Sequence, residues 1–159
     1  MAEDRKFAFA LFDDRDDATV AKTGPAYRLL RDLGIKSTKT VWPLKSEPGY
    51  RFFAQSLLDH EYFDFIRELQ ADGFEIGYHG ARTGDNPRSV THEAFDVFRE
   101  KIDHNPMTYT QHAASIENLY PGNRRTRIPI LESLLAGRSQ HSKFVGDDPD
   151  NPYFGAIFA

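Results

Sequence analysis

Two adjacent carboxylates, Asp13 and Asp14, follow directly on a short apolar run from Phe7 to Phe12 and lead into Arg15, Asp16 and Asp17. Such a run reads as a buried strand. Parallel strands in α/β folds are apolar on both faces, and their C-terminal ends open onto the functional crevice. Carboxylates side by side at that point repel one another unless a proton or a cation compensates. Two imidazoles have the same placing: His79 follows the strand-like segment Phe74–Tyr78, and His112 follows Met107–Gln111. Carboxylates and imidazoles at one mouth suit a divalent metal, zinc first, with iron, cobalt and manganese also accepting such ligands. A catalytic metal keeps one position for water and lowers its pKa, to about 7 in favourable cases. Asp13 and Asp14 point opposite ways along a strand end, so one can bind metal while the other faces the water as general base. His60, His92, His104 and His141 read as surface or helix-end groups, with His92 next in line because it follows the same loop as His79. The chain has no cysteine, which removes thiolate ligands and disulfides.

The elements that must bring these groups together are legible as an alternation of strands and helices. A first strand spans about Lys6 to Phe12. Thr23-Gly24-Pro25 announces a helix whose apolar face is Ala26, Leu29, Leu30 and Leu33, and Gly34 ends it. Ile35–Val41 is a second strand, closed by Trp42-Pro43. Residues 43–59, with Pro43, Pro48, Gly49 and the rings of Tyr50, Phe52 and Phe53, form a loop over the strand ends. A second helix from about Asp59 or Glu61 to Asp72 buries Tyr62, Phe65, Ile66 and Leu69. The third strand then leads to His79. After a polar loop, Ser89 or Thr91 caps a third helix with Phe95, Phe98 and Ile102 on its inner face. Met107–Gln111 is a fourth strand, 121–123 a turn, 130–136 helical and 143–145 a short strand. Strand and helix recur at roughly 30 residues, the size of a βαβ unit. Right-handed crossovers make such strands parallel, so Asp13, Asp14, His79 and His112 emerge on one side.

The 159 residues suit one domain, 1–159, and 40% hydrophobic content supplies a core. A net charge of −4 argues against a nucleic-acid-binding surface, and Arg124, Arg125 and Arg127 form the one short basic cluster. No signal peptide or membrane span is visible, so the expectation is a cytoplasmic protein with no membrane partner.

Phe12-Asp13-Asp14, the segment Tyr27–Thr38, and Phe65–His79 together resemble the polysaccharide deacetylases of the NodB-homology type, carbohydrate esterase family 4. The family's opening motif is Thr-Phe-Asp-Asp-Gly, and its first metal histidine ends a Gly-His-Glu-Ile-Gly-Asn-His strand. The resemblance covers roughly the first half of the chain. It implies a parallel (β/α) barrel, here incomplete with about four to five units. It also implies a hydrolase that removes N- or O-linked acetyl groups from a glycan, or acts on a related carbon–nitrogen amide. By position Asp13 would be the general base, Asp14 and His79 metal ligands, and Arg15, Trp42 and Tyr78 substrate contacts. The family's second histidine stands four residues after the first, where this chain has Thr83; either His112, or after it His92, takes its place, or metal binding is weak or lost. Leu11 and Arg15 replace the family's Thr and Gly. The later motifs, including the one that supplies the general acid, have no counterpart. A barrel of this type normally exceeds about 200 residues, so the expectation is a chain lacking its C-terminal part, with exposed edges that favour homo-oligomers. Two alternatives are a catalytically inactive domain that binds glycan or a protein partner, and a Mg²⁺-dependent phosphotransfer domain. The latter needs a Ser/Thr–Lys set after later strands, which is not evident.

Overall fold

A computed structural model describes residues 8–14, 16–112, 115–118, 128, 130, 144–146 and 148–154. In chain order these form β1 (Phe12–Asp13), α1 (Val20–Asp32), β2 (Thr38–Val41), α2 (His60–Ala71), β3 (Glu75–Tyr78) and α3 (Arg88–Ile102). The three strands make one parallel sheet in the order β1-β2-β3. Asp13 pairs with Lys39, and Val41 pairs with Tyr78. The residues that follow β1, β2 and β3 therefore leave the sheet at the same end. This is a small α/β fold.

The expected fourth strand shrinks to a single parallel bridge, Tyr78 with Tyr109. Tyr78 N donates to Thr108 O at 2.9 Å, and Thr110 N donates to Tyr78 O at 2.8 Å. That short contact keeps the parallel direction and carries His112 to the end of the sheet where His79 lies. β1 is shorter than its apolar run suggests: residues 8–11 are not in the strand, although Leu11 O accepts from Thr38 N at 3.1 Å. Phe144 and Val145 are not in a strand; Val145 N donates to Ile116 O at 2.9 Å. The expected turn at 121–123, and the helix at 130–136 apart from Ile130, lie outside the described residues.

Helix boundaries follow local chemistry. α1 starts before Thr23-Gly24-Pro25, because the Thr19 hydroxyl accepts from Lys22 N and caps it. Pro25 then falls inside the helix and forfeits one backbone rung. α2 begins after Asp59, and Tyr62, Ile66 and Leu69 are buried on it. α3 starts at Arg88 with Pro87 in the cap position and no side-chain cap, so Ser89 and Thr91 sit inside the helix.

The core lies where α2 and α3 meet β2 and β3: Tyr62, Ile66, Leu69, Phe98 and Ile102 pack with Val41, Ile76 and Tyr78. Burying a large apolar side chain contributes about 1.5–3 kcal/mol. The apolar stripe expected on α1 is a different matter. Leu29 and Leu33 are 58% and 61% exposed, and the buried α1 residues are Thr23, Gly24 and Tyr27. β1 is the edge of the described sheet and only two residues long, so it offers that stripe little to pack on. No described helix is long and apolar enough to cross a membrane.

Candidate functional site

Four segments meet at the C-terminal end of the sheet: the acidic turn after β1, Thr40 and Trp42 at the end of β2, His79 after β3, and His112 after the Tyr109 bridge. His79 is 1% exposed. Its Nδ1 lies 3.0 Å from Asp14 Oδ1 and 3.1 Å from Thr40 Oγ1, and its Nε2 lies 3.0 Å from Asp16 Oδ1. His112 Nε2 lies 3.6 Å from the other oxygen of Asp16. Asp16 thus stands between the two imidazoles.

Hydrogen-bond roles place a proton on His79 Nδ1. The Thr40 hydroxyl donates to Asp13 O at 2.8 Å, so it can only accept from the ring. Both neighbours of Nδ1 are then acceptors, and Nδ1 carries the proton. In the neutral ring Nε2 is a lone pair aimed at a carboxylate, an arrangement that requires a proton or a cation between them. Burial lowers the His79 pKa from its ordinary value, against the raising pull of Asp14 and Asp16, and the nearby His112 adds to the lowering.

Trp42 braces this arrangement. Its ring meets His79 edge-on at 4.3 Å and lies 6.0 Å from His112, and its Nε1 donates to Asp16 O at 3.1 Å. At 2% exposed it is packing for the histidines, with almost no surface to offer a substrate. The half-buried rings of Tyr50 and Phe52 lie 6.2 Å and 5.7 Å from His112 and line the more open side. The loop at 43–59 is therefore present as expected, and its rings border the site.

Asp13 is not brought to the histidines. Its Oδ2 accepts from Tyr27 OH at 3.0 Å and pairs with Lys39 Nζ at 3.0 Å. Lys39 is wholly buried, and successive strand residues face opposite ways, so Asp13 serves the α1 side of the sheet while Asp14 serves the mouth. Burial, with Asp13 adding to it, pushes the Tyr27 hydroxyl pKa far up, which keeps it a donor to Asp13. Tyr78 is also away from the mouth: it is fully buried and stacked between Phe95 at 4.3 Å and Tyr109 at 5.3 Å. His92 is exposed on α3 and accepts from Arg88 Nε at 3.1 Å, remote in role from the cluster. Arg15 lies outside the described residues.

Sequence reasoning singled out Asp14, His79 and His112 but missed Asp16, Thr40 and Lys39. The signal for Asp16 was the acidic run itself, in which it stands two residues beyond Asp14. The signal for Lys39 was a lysine between two β-branched residues of a strand. Among the described residues, no three His, Asp or Glu side chains are grouped as they stand to hold a metal ion. The donor chemistry nevertheless suits one: two imidazole Nε2 atoms and one carboxylate converge, the set used by catalytic zinc and non-haem iron. In comparisons with known proteins, no family model, curated protein or solved structure matches the chain.

Proposed function

We propose that the chain is a metal-dependent hydrolase of the polysaccharide-deacetylase type, removing acetyl groups from a glycan or cleaving a related amide. The sheet would then be part of a (β/α) barrel. The observation that carries this reading is Asp16 facing the Nε2 atoms of two buried histidines, one after β3 and one after the Tyr109 bridge. His79, His112 and Asp16 would hold the metal, in place of the set Asp14, His79 and His112 expected from the family pattern. When bound, zinc or a similar ion supplies Lewis acidity toward an acyl oxygen and toward water. The chain's own residues supply the rest. Asp14 and Thr40 hold the Nδ1 proton of His79 and so keep its Nε2 aimed at Asp16. In this reading Asp14, with 55% of its side chain exposed, would also accept a proton from a water at the rim. Trp42 fixes both rings by packing. Tyr50 and Phe52 offer apolar faces on which a sugar ring can lie.

A second reading, a glycan-binding domain without turnover, is favoured by Thr83. It occupies the place of the family's second histidine, is fully buried, and accepts from Glu47 N at 3.0 Å, a purely structural use. Calorimetric zinc titration of the purified chain, paired with acetate release from acetylated oligosaccharides, separates the two. The hydrolase reading expects one metal per chain, affinity at least tenfold weaker in Asp16→Ala and His79→Ala, and acetate released only by the loaded wild type. Metal-free protein that binds oligosaccharide without releasing acetate supports the second reading instead.

A further inference from the structure

His112 belongs to a second polar cluster that the site above does not use. With Asn86, Glu117 and Asn118 it lines a cavity of about 10 Å³, room for one water molecule. Three atoms of the lining residues are buried and have no hydrogen-bond partner among the described residues: His112 Nδ1, Asn86 Oδ1 and Asn118 Oδ1. The amide orientations are set by their other ends. Asn86 Nδ2 donates to Gly84 O at 3.0 Å and to Glu117 Oε1 at 2.9 Å, and Asn118 Nδ2 donates to His112 O at 2.8 Å. Both unsatisfied oxygens are therefore acceptors. Glu117 is committed elsewhere: its Oε2 accepts from Asn86 N at 3.1 Å, so the carboxylate holds Asn86 in place.

We propose that this cavity binds a single water that orients His112. A water has two protons to give and can accept one or two. Donated to Asn86 Oδ1 and Asn118 Oδ1, those protons leave the water oxygen to accept from His112, which must then carry its proton on Nδ1. All three orphan atoms are satisfied at once. The opposite tautomer would present the water with three acceptors and only two protons. A sodium or potassium ion would satisfy three acceptors and would demand that opposite tautomer, with the proton on Nε2. The water thus does for His112 what Asp14 and Thr40 do for His79: by accepting from Nδ1–H it holds the proton on that nitrogen and leaves Nε2 as a lone pair toward Asp16. Asn86, Asn118 and Glu117 are positioning residues acting through it. Their bearing on metal binding rests on the hydrolase reading, whereas the tautomer does not.

Long-range proton–nitrogen NMR of the metal-free full chain, at a pH where the ring is neutral, reads the tautomer directly. The expected result is His112 predominantly protonated on Nδ1, the minor form of free histidine, with no change on replacing sodium by potassium or by a bulky organic cation. Asn118→Leu should shift the ring toward the Nε2-protonated form. Ser115→Ala is the control for simple loosening. Ser115 lines the same cavity, but its hydroxyl donates to Gly84 O and gives the water no orphan atom to serve. Protonation on Nε2 in the wild type, a monovalent-cation dependence, or an Asn118→Leu spectrum like the wild type overturns the proposal. Should Asn118→Leu not fold, the wild-type tautomer and its cation response decide. A wild type with the expected tautomer that binds no zinc removes the hydrolase reading and leaves the water site standing. Where zinc does bind, Asn118→Leu is expected to weaken it about tenfold.

Discussion

On the β3 side of the sheet, α2 and α3 close over the strands and leave Tyr62, Ile66, Leu69, Phe98 and Ile102 without solvent contact. On the β1 side, Leu29 and Leu33 stay mostly exposed, and Phe9 is 80% exposed. A groove of about 310 Å³ runs there between Phe12, Tyr27 and Leu30. Both flanks carry helices with apolar residues at helical spacing, α1 being the less amphipathic. The sheet beneath them differs too: β2 and β3 share four paired positions, whereas β1 contributes two residues at an edge. An apolar stripe states that a helix can be buried; the strand beside it decides whether it is.

That contrast can be broken or sharpened by substitution. Leu69→Ala on the closed flank is expected to cost about 4 kcal/mol by loss of buried area and the cavity left behind, whereas Leu29→Ala on the open flank is expected to cost less than about 0.5 kcal/mol. Urea unfolding of both variants tests the pair, and equal costs would abolish the distinction. Lys39→Met should follow at about 3 kcal/mol, since it leaves the Asp13 carboxylate beside Tyr27 without its cation. A neutral result would mean that the open flank does not depend on that ion pair. Gly80→Ala is next, at about 2 kcal/mol. Its backbone sits at φ +92, and an added Cβ would come within 3.2 Å of the Trp42 ring; the lost packing should also show as a changed Trp42 fluorescence.

The smallest effect is a pH dependence. Hydrogen bonds from Thr108 and Thr38 hold the Glu75 carboxyl below its ordinary value. A carboxylate favoured in the folded state adds stability above its ordinary pKa of 4.5 and loses it as pH falls through the lowered folded value. Glu75→Gln should therefore unfold with a shallower loss of stability on acidification than the wild type, and parallel acid curves would contradict this.

The sequence reading reached the strand–helix alternation and the parallel direction, because apolar runs, glycine stops and repeat length are local signals. It placed His79 and His112 at the same end for that reason. Side-chain direction at the acidic turn was beyond it. Asp13, Asp14 and Asp16 are equivalent in a sequence, and only the ion pair with Lys39 and the position of Thr40 show that the first turns inward while the other two face the imidazoles. Trp42 and Tyr78, expected as substrate contacts, are packing residues instead. Here Tyr78 stacks into the α3 layer and Trp42 is sealed against His79. The expected fourth strand is reduced because, among the described residues, Met107–Gln111 has one bridging partner, Tyr78.

The ammonium of Lys39 is sealed under the sheet edge by a carboxylate one residue upstream of Asp14. Amine-directed reagents, which need an uncharged and accessible nitrogen, can reach it only when β1 detaches. The labelling rate of this one lysine is thus a clock for how often the acidic turn lets go of the rest of the site.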